Sequence, residues 1–213
     1  MLKRNARVLT LSLLLAITGP LPALAQAPGD AAALLRQAIE LYNSGNAAEA
    51  LPLAQKALPL LEQQNGPDHL DVAAAHNYLG VLQQQLGRPK EAETSYLRAM
   101  AIRQRALGTE HAQVAMSAEN LAALYRASGR NEEAELLYKR ALSINEKVYG
   151  PDHPALAATA SNLGSIYRET GRQRDAEPLY LRALAIHEKA FGPGHPHVAA
   201  SLVTLGELYR TTG

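Results

Sequence analysis

The chain has no cysteine and no tryptophan, and one phenylalanine among 213 residues. Without cysteine there can be no disulfide framework, thiol nucleophile or thiolate metal site, so packing must carry stability. Aromatic residues make up 5% of the chain and hydrophobic ones 47%. Such a core is built mostly from alanine and leucine, which suits closely spaced helices. Neither sign of charge is in excess, with 21 Lys and Arg against 20 Asp and Glu. A nucleic-acid footprint needs a basic stripe, and that balance argues against one. Also missing are a Gly-x-x-x-x-Gly-Lys phosphate loop, a His-Glu-x-x-His helix and a Gly-x-Ser-x-Gly elbow. Nothing here reads as an enzyme, and neither a metal nor a cofactor is expected.

One short apolar run stands at the start. Val8–Ile17 follows Lys3, Arg4 and Arg7, and Gly19-Pro20 and Pro22 precede Ala23-Leu24-Ala25. A basic segment, an apolar run and a small-x-small end read as a secretory signal peptide over residues 1–25, cut between Ala25 and Gln26. The run is too short for a permanent membrane span, and no cysteine follows that could carry a lipid anchor. Residues 26–29 read as a short linker. Without the three basic residues of the leader, the remainder holds 18 basic and 20 acidic residues, a formal charge of −2. The expected location is the periplasm or the medium of a bacterium.

What the chain has in abundance is repetition. One glycine series runs Gly45, Gly87, Gly129, Gly171 and Gly213, and another Gly66, Gly108, Gly150 and Gly192, both in steps of 42. Residues 108–149 and 150–191 share 20 identities in 42 positions. A fixed period of this size means stacked supersecondary units, none of which can bury its apolar face alone. Within a unit the spacing is helical. Val72, Tyr78, Leu79, Val81, Leu82 and Leu86 form one helix closed by Gly87, and a second runs from Pro89 or Lys90 to Leu107. In that second helix Arg98, Arg103 and Arg105 are expected to reach water. Asp or Thr in the turns before His69, His111 and His153 is expected to cap the helix that follows. Ala92, Ala134 and Ala176 are in register, as are Ala99, Ala141 and Ala183, with Ala50 and Ala57 continuing both series. Small residues there let two helices approach, while Tyr96, Tyr138 and Tyr180 fill the next layer.

The strings Asn120-Leu121-Ala122-Ala123-Leu124-Tyr125 and Glu133-Ala134-Glu135-Leu136-Leu137-Tyr138-Lys139-Arg140-Ala141-Leu142 resemble the tetratricopeptide repeat. Ile144-Asn145-Glu146-Lys147-Val148-Tyr149-Gly150-Pro151-Asp152-His153-Pro154 places the resemblance with the 42-residue variety of kinesin light chains and many bacterial proteins. It covers about Asp30 to Gly213. It implies an all-α fold, a right-handed superhelical solenoid of antiparallel helix pairs with four hairpins and one terminal helix. The repeats would occupy about 30–65, 66–107, 108–149 and 150–191, with a half repeat over 192–213. The first matches least, since Ala54 replaces the tyrosine of its second helix.

The resemblance also implies a surface function, the binding of extended peptide segments of partner proteins on a concave face. Asn120 and Asn162 share one repeat phase, Asn77 lies one position earlier in its own repeat, and Arg126, Arg168 and Arg210 share another phase. An asparagine amide offers both a donor and an acceptor to an extended backbone, and an arginine fork suits a carboxylate. These six are the candidate ligand-binding residues. The same arginines could instead pair with Glu133 or Glu169 on a solvated face. His69, His111, His153 and His195 recur in one turn, too far apart for a shared metal, and read as helix caps. His195-Pro196-His197 lacks acidic or sulfur co-ligands for a metal. The terminal helix, about His197–Arg210, carries Val198, Leu202, Val203, Leu205, Leu208 and Tyr209 and looks like an interior helix without its partner. Self-association or missing repeats there are expected. Two readings of the whole follow: a non-catalytic scaffold or adaptor, or the recruitment region of a longer enzyme such as a caspase-like protease.

Overall fold

The structure, a computed structural model, describes residues 31–212. The expected leader, its Ala25–Gln26 cleavage point and the 26–29 linker lie outside the described residues. Among the described residues all regular structure is helical: α1 (Ala31–Asn43), α2 (Ala47–Asn65), α3 (Leu70–Gln85), α4 (Pro89–Leu107), α5 (Ala112–Ala127), α6 (Asn131–Tyr149), α7 (Pro154–Glu169), α8 (Gln173–Phe191) and α9 (Pro196–Thr212). Two compact units meet within α4, one up to Ser95 and one from Tyr96. No described helix is long and apolar enough to cross a membrane.

Helix α7 shows why the sequence folds this way. The His153 imidazole caps its start, Pro154 takes the first turn, where its missing N–H costs nothing, and Thr170 and Gly171 end it. Gly171 has φ 78°, and glycines of similar φ follow one another every 21 residues, as from Gly45 to Gly66. Leu156, Ala157, Ala160, Leu163, Gly164, Ile166 and Tyr167 make its buried face. The caps differ from expectation. Histidine Nδ1, rather than Asp or Thr, accepts the backbone N–H two residues on, at 3.2 Å, in all four turns: His69 from Asp71, His111 from Gln113, His153 from Ala155 and His195 from His197.

In the first unit, α2 packs against both α1 and α3. Ala50, Ala54 and Ala57 are wholly buried there, so Ala54, with no ring to accommodate, lets the helices close up. The Tyr78 hydroxyl donates to the Ala38 carbonyl at 2.7 Å, tying α3 to α1.

In the second unit each first helix pairs with the helix after it, α5 with α6 and α7 with α8. Val114, Ala115 and Ala118 pack on Ala141 and Ile144, and Leu156, Ala157 and Ala160 on Ala183 and Ile186. Tyr138 and Tyr180 are each 1% exposed. At Gly164 an added Cβ would lie 2.9 Å from Tyr180 Cε1, so only glycine admits that ring.

Arg103 does not reach water. It is 4% exposed, and its Nη1 donates to Ser117 Oγ at 2.6 Å. Burial pushes its pKa down to about 10. Forty-two and eighty-four residues on, Asn145 and His187 occupy the same phase. Asn145 donates to the Glu119 carboxylate at 3.2 Å, which Thr159 also bonds, and His187 Nδ1 lies 2.8 Å from Ser201 Oγ. A polar seam thus recurs wherever a second helix meets the next first helix in this unit.

Candidate interaction surface

The six candidate residues are not equivalent. In the first unit Asn77 is 8% exposed, and in the second Asn120 is 6% exposed; both already have interactions of their own. Asn162 is half-buried, and its amide has no side-chain partner among the described residues. It stands on α7, which contacts α5 on one side and α8 on another.

The arginines are largely committed. Arg126 forks onto Glu169, with Nε to Oε2 at 3.0 Å and Nη2 to Oε1 at 2.5 Å. Arg168 Nη1 donates to Glu207 Oε2 at 2.8 Å. These bonds run from α5 to α7 and from α7 to α9, so they tie successive first helices together. Glu133 is taken by Arg130, at 2.7 and 2.5 Å. Burial works against the charge of Arg126, but the bonds and charge of Glu169 outweigh it and raise the pKa. Arg210 is exposed. An arginine already forked on a carboxylate is poorly placed to recruit another, and exposed pairs contribute little each.

A second set of bonds braces the same helices. The Tyr167 hydroxyl donates to Glu135 Oε1 at 3.1 Å, and forty-two residues later Tyr209 donates to Glu177 Oε1 at 2.7 Å. The Arg130 guanidinium lies 3.7 Å from the Tyr125 ring centroid and that of Arg172 4.0 Å from Tyr167.

Glu119 is the residue that sequence reasoning missed. It precedes Asn120 on α5 and occupies the phase of Asn77, Ser161 and Val203, the one acid in that series. Burial pushes its pKa up to about 7, against the opposing hydrogen bonds from Thr159 and Asn145. A carboxyl of that kind changes charge near neutral pH beside the candidate amides. The signal for it lay in the alignment of repeats, where an ionisable group replaces neutral ones.

At the turns, rings stack and no ligand set forms. Tyr149 stacks on His153 at 4.4 Å and Phe191 on His195 at 4.6 Å, and His197 lies 4.9 Å from His195. Among the described residues no group of three or more metal-binding side chains is placed to hold an ion. A surface cleft of about 510 Å³ lies beside the third turn, lined by residues that include Tyr149, Pro151, His153 and Lys189, away from the amides of α5 and α7.

Comparisons with known proteins fit this architecture. The tetratricopeptide-repeat sequence profile matches residues 29–104, 71–147, 137–189 and 174–213. A crystal structure of nearly identical TPR-like repeats, assigned to a kinesin light chain of Podosopora anserina, is similar with TM-score 0.74 and 25% identity. It covers 85% of each chain. BtubC (BKLC) from P. vanneervenii is similar with TM-score 0.73 and 26% identity, over 83% of this chain and 70% of that one. The apo form of RapI shares the fold, with TM-score 0.75 and 17% identity over 86% and 64%. Among curated protein sequences, none matches the chain significantly. Repeat length, hairpin packing, sequence profile and structural likeness agree, and the chain belongs to the tetratricopeptide-repeat family, with kinesin-light-chain-like repeats.

Proposed function

We propose that this protein is a non-catalytic interaction scaffold that holds extended peptide segments of partner proteins along the first helices of its second unit. The observation that carries this reading is Asn162, a half-buried amide without a side-chain partner among the described residues, on a helix fixed on both sides by the Arg126–Glu169 and Arg168–Glu207 bonds. One amide can donate to and accept from the main chain of an extended ligand. Rigid neighbours lower the ordering cost of binding. Asn120 and Glu119 lie on the adjoining helix and are the next contacts in this reading, whereas the arginines serve as braces more than as ligands. Lys3, Arg4 and Arg7, with the apolar run and Ala25, support export and work outside the cytoplasm; N-terminal sequencing of the native protein reads the cut.

A displayed library of extended nine-residue peptides tests the proposal. Selected peptides should bind in the micromolar range, and Asn162→Ala should weaken them at least tenfold, about 1.4 kcal/mol. If Asn162→Ala leaves the affinity of every selected peptide unchanged, the site is elsewhere and the reading fails.

A further inference from the structure

In the second unit one stripe of each first helix is buried. On α7 it is Ala157, Ala160, Gly164 and Tyr167, whose spacing of three, four and three makes a helix–helix seam. The same stripe on α9 is Ala199, Leu202, Gly206 and Tyr209, and all four are exposed, Leu202 by 52% and Tyr209 by 48%. We propose that this stripe of α9 docks an amphipathic α-helix of a partner protein, one that presents a tyrosine to Gly206 and a small residue to Leu202. This surface is separate from the peptide-binding reading above and does not depend on it.

The glycines identify the occupant. At Gly164 the Tyr180 ring fills the space a Cβ would take, at 2.9 Å from Cε1 and 3.1 Å from Cδ1. At Gly206, one repeat later, an added Cβ meets nothing within 4 Å. The notch is there and the ring is not. The Tyr180 hydroxyl donates to Ser165 Oγ at 3.1 Å. Glu207 holds the position of Ser165 on α9, and since Arg168 bonds its Oε2, its Oε1 can accept an incoming phenol. Leu202 stands where α7 has Ala160, so the helix opposite must be small at that point. A second folded copy has no such tyrosine to offer, because Tyr96, Tyr138 and Tyr180 are buried in their own packing and Tyr209 is bonded to Glu177.

A fluorescent 19-residue peptide with the sequence of α8, Gln173–Phe191, is the probe. The protein should bind it, and replacing the tyrosine at position 180 of the peptide by alanine should weaken binding at least tenfold. Gly206→Gln in the protein should weaken it at least tenfold as well, while raising the melting temperature, since glutamine is a better helix former and meets no clash there. Gly164→Ala should do the opposite and lower the melting temperature. Binding no tighter than millimolar, or binding unaffected by Gly206→Gln, overturns the proposal. Sedimentation that shows a dimer broken by Gly206→Gln would give the face to a second copy and overturn it too.

Discussion

Leu61 and Ala75 in the first unit, and Asn145 and Thr159 in the second, stand at the same two repeat phases and are equally buried. Their exposures are 2% and 1% in one seam and 5% and 1% in the other. One seam is apolar. The other draws in a carboxyl, because an amide and a hydroxyl in a dry place need partners and Glu119 supplies the acceptor. Helix spacing is thus compatible with either chemistry, but the two differ in what they make stability depend on. Neither member of the apolar pair can titrate. The polar pair is linked to pH through a group held well above its ordinary pKa.

The largest test of that contrast is a pH series on Glu119→Gln. A carboxyl raised from 4.5 to about 7 binds its proton more tightly in the folded state. Its stabilising effect is therefore complete below pH 4.5 and is lost as pH rises through 7. The difference is on the order of 3 kcal/mol. Urea unfolding at pH 5 and pH 8 should show this fall in the native sequence and not in Glu119→Gln. The variant should keep an opposite trend from His187, whose pKa is lowered by burial and by the nearby His197 and His195. That contribution is present above pH 6.5 and lost as pH falls. A native protein equally stable at both pH values would break the comparison.

A second test converts one seam into the other. Ser117→Ala deprives the buried Arg103 guanidinium of its hydroxyl and should cost about 2 kcal/mol at pH 7. Adding Arg103→Leu recreates the Leu61–Ala75 pair and should recover that loss, since well-packed apolar groups replace buried charge at little or no cost. Chemical denaturation of the single and double variants decides it, and a double variant weaker than Ser117→Ala alone would mean that the two seams are not interchangeable.

The smallest effect belongs to the turns. His153→Ala removes a cap and should cost about 1 kcal/mol. A protonated imidazole cannot accept at Nδ1, so this cost should shrink in acid, where the native cap is lost as well. His69 differs, because Asp71 Oδ2 lies 3.2 Å from its Nδ1 and can receive the proton once the ring is charged. Equal costs for His153→Ala at pH 5 and pH 8 would argue that the ring acts by packing alone.

The helices, their order and the alanine layers were legible in the sequence because small residues and glycines recur at fixed phase and tolerate few substitutes. Arg103 was misread for the converse reason. Its phase holds Leu61, Arg103, Asn145 and His187, four chemistries sharing one burial, and a charge on a helix between Arg98 and Arg105 looks solvated unless the repeats are aligned. Glu119 escaped notice in the same way. The arginines of the candidate surface were visible as a series, but the carboxylates that take them lie in neighbouring repeats, at Glu169 and Glu207. Local pattern cannot show which long side chains meet across a stack.

Both kinds of turn are set by glycines at one common interval of 21 residues, so the chain counts in single helices and not in pairs. That gives the array a parity. Inserting or deleting a whole hairpin leaves the same face uncovered at its end, whereas a change of one helix exchanges a closed end for an open one. With nine helices among the described residues, the open face of α9 is what an odd number produces. A lineage of such proteins could gain or lose an adhesive end by a change of 21 residues, without altering a single side chain elsewhere.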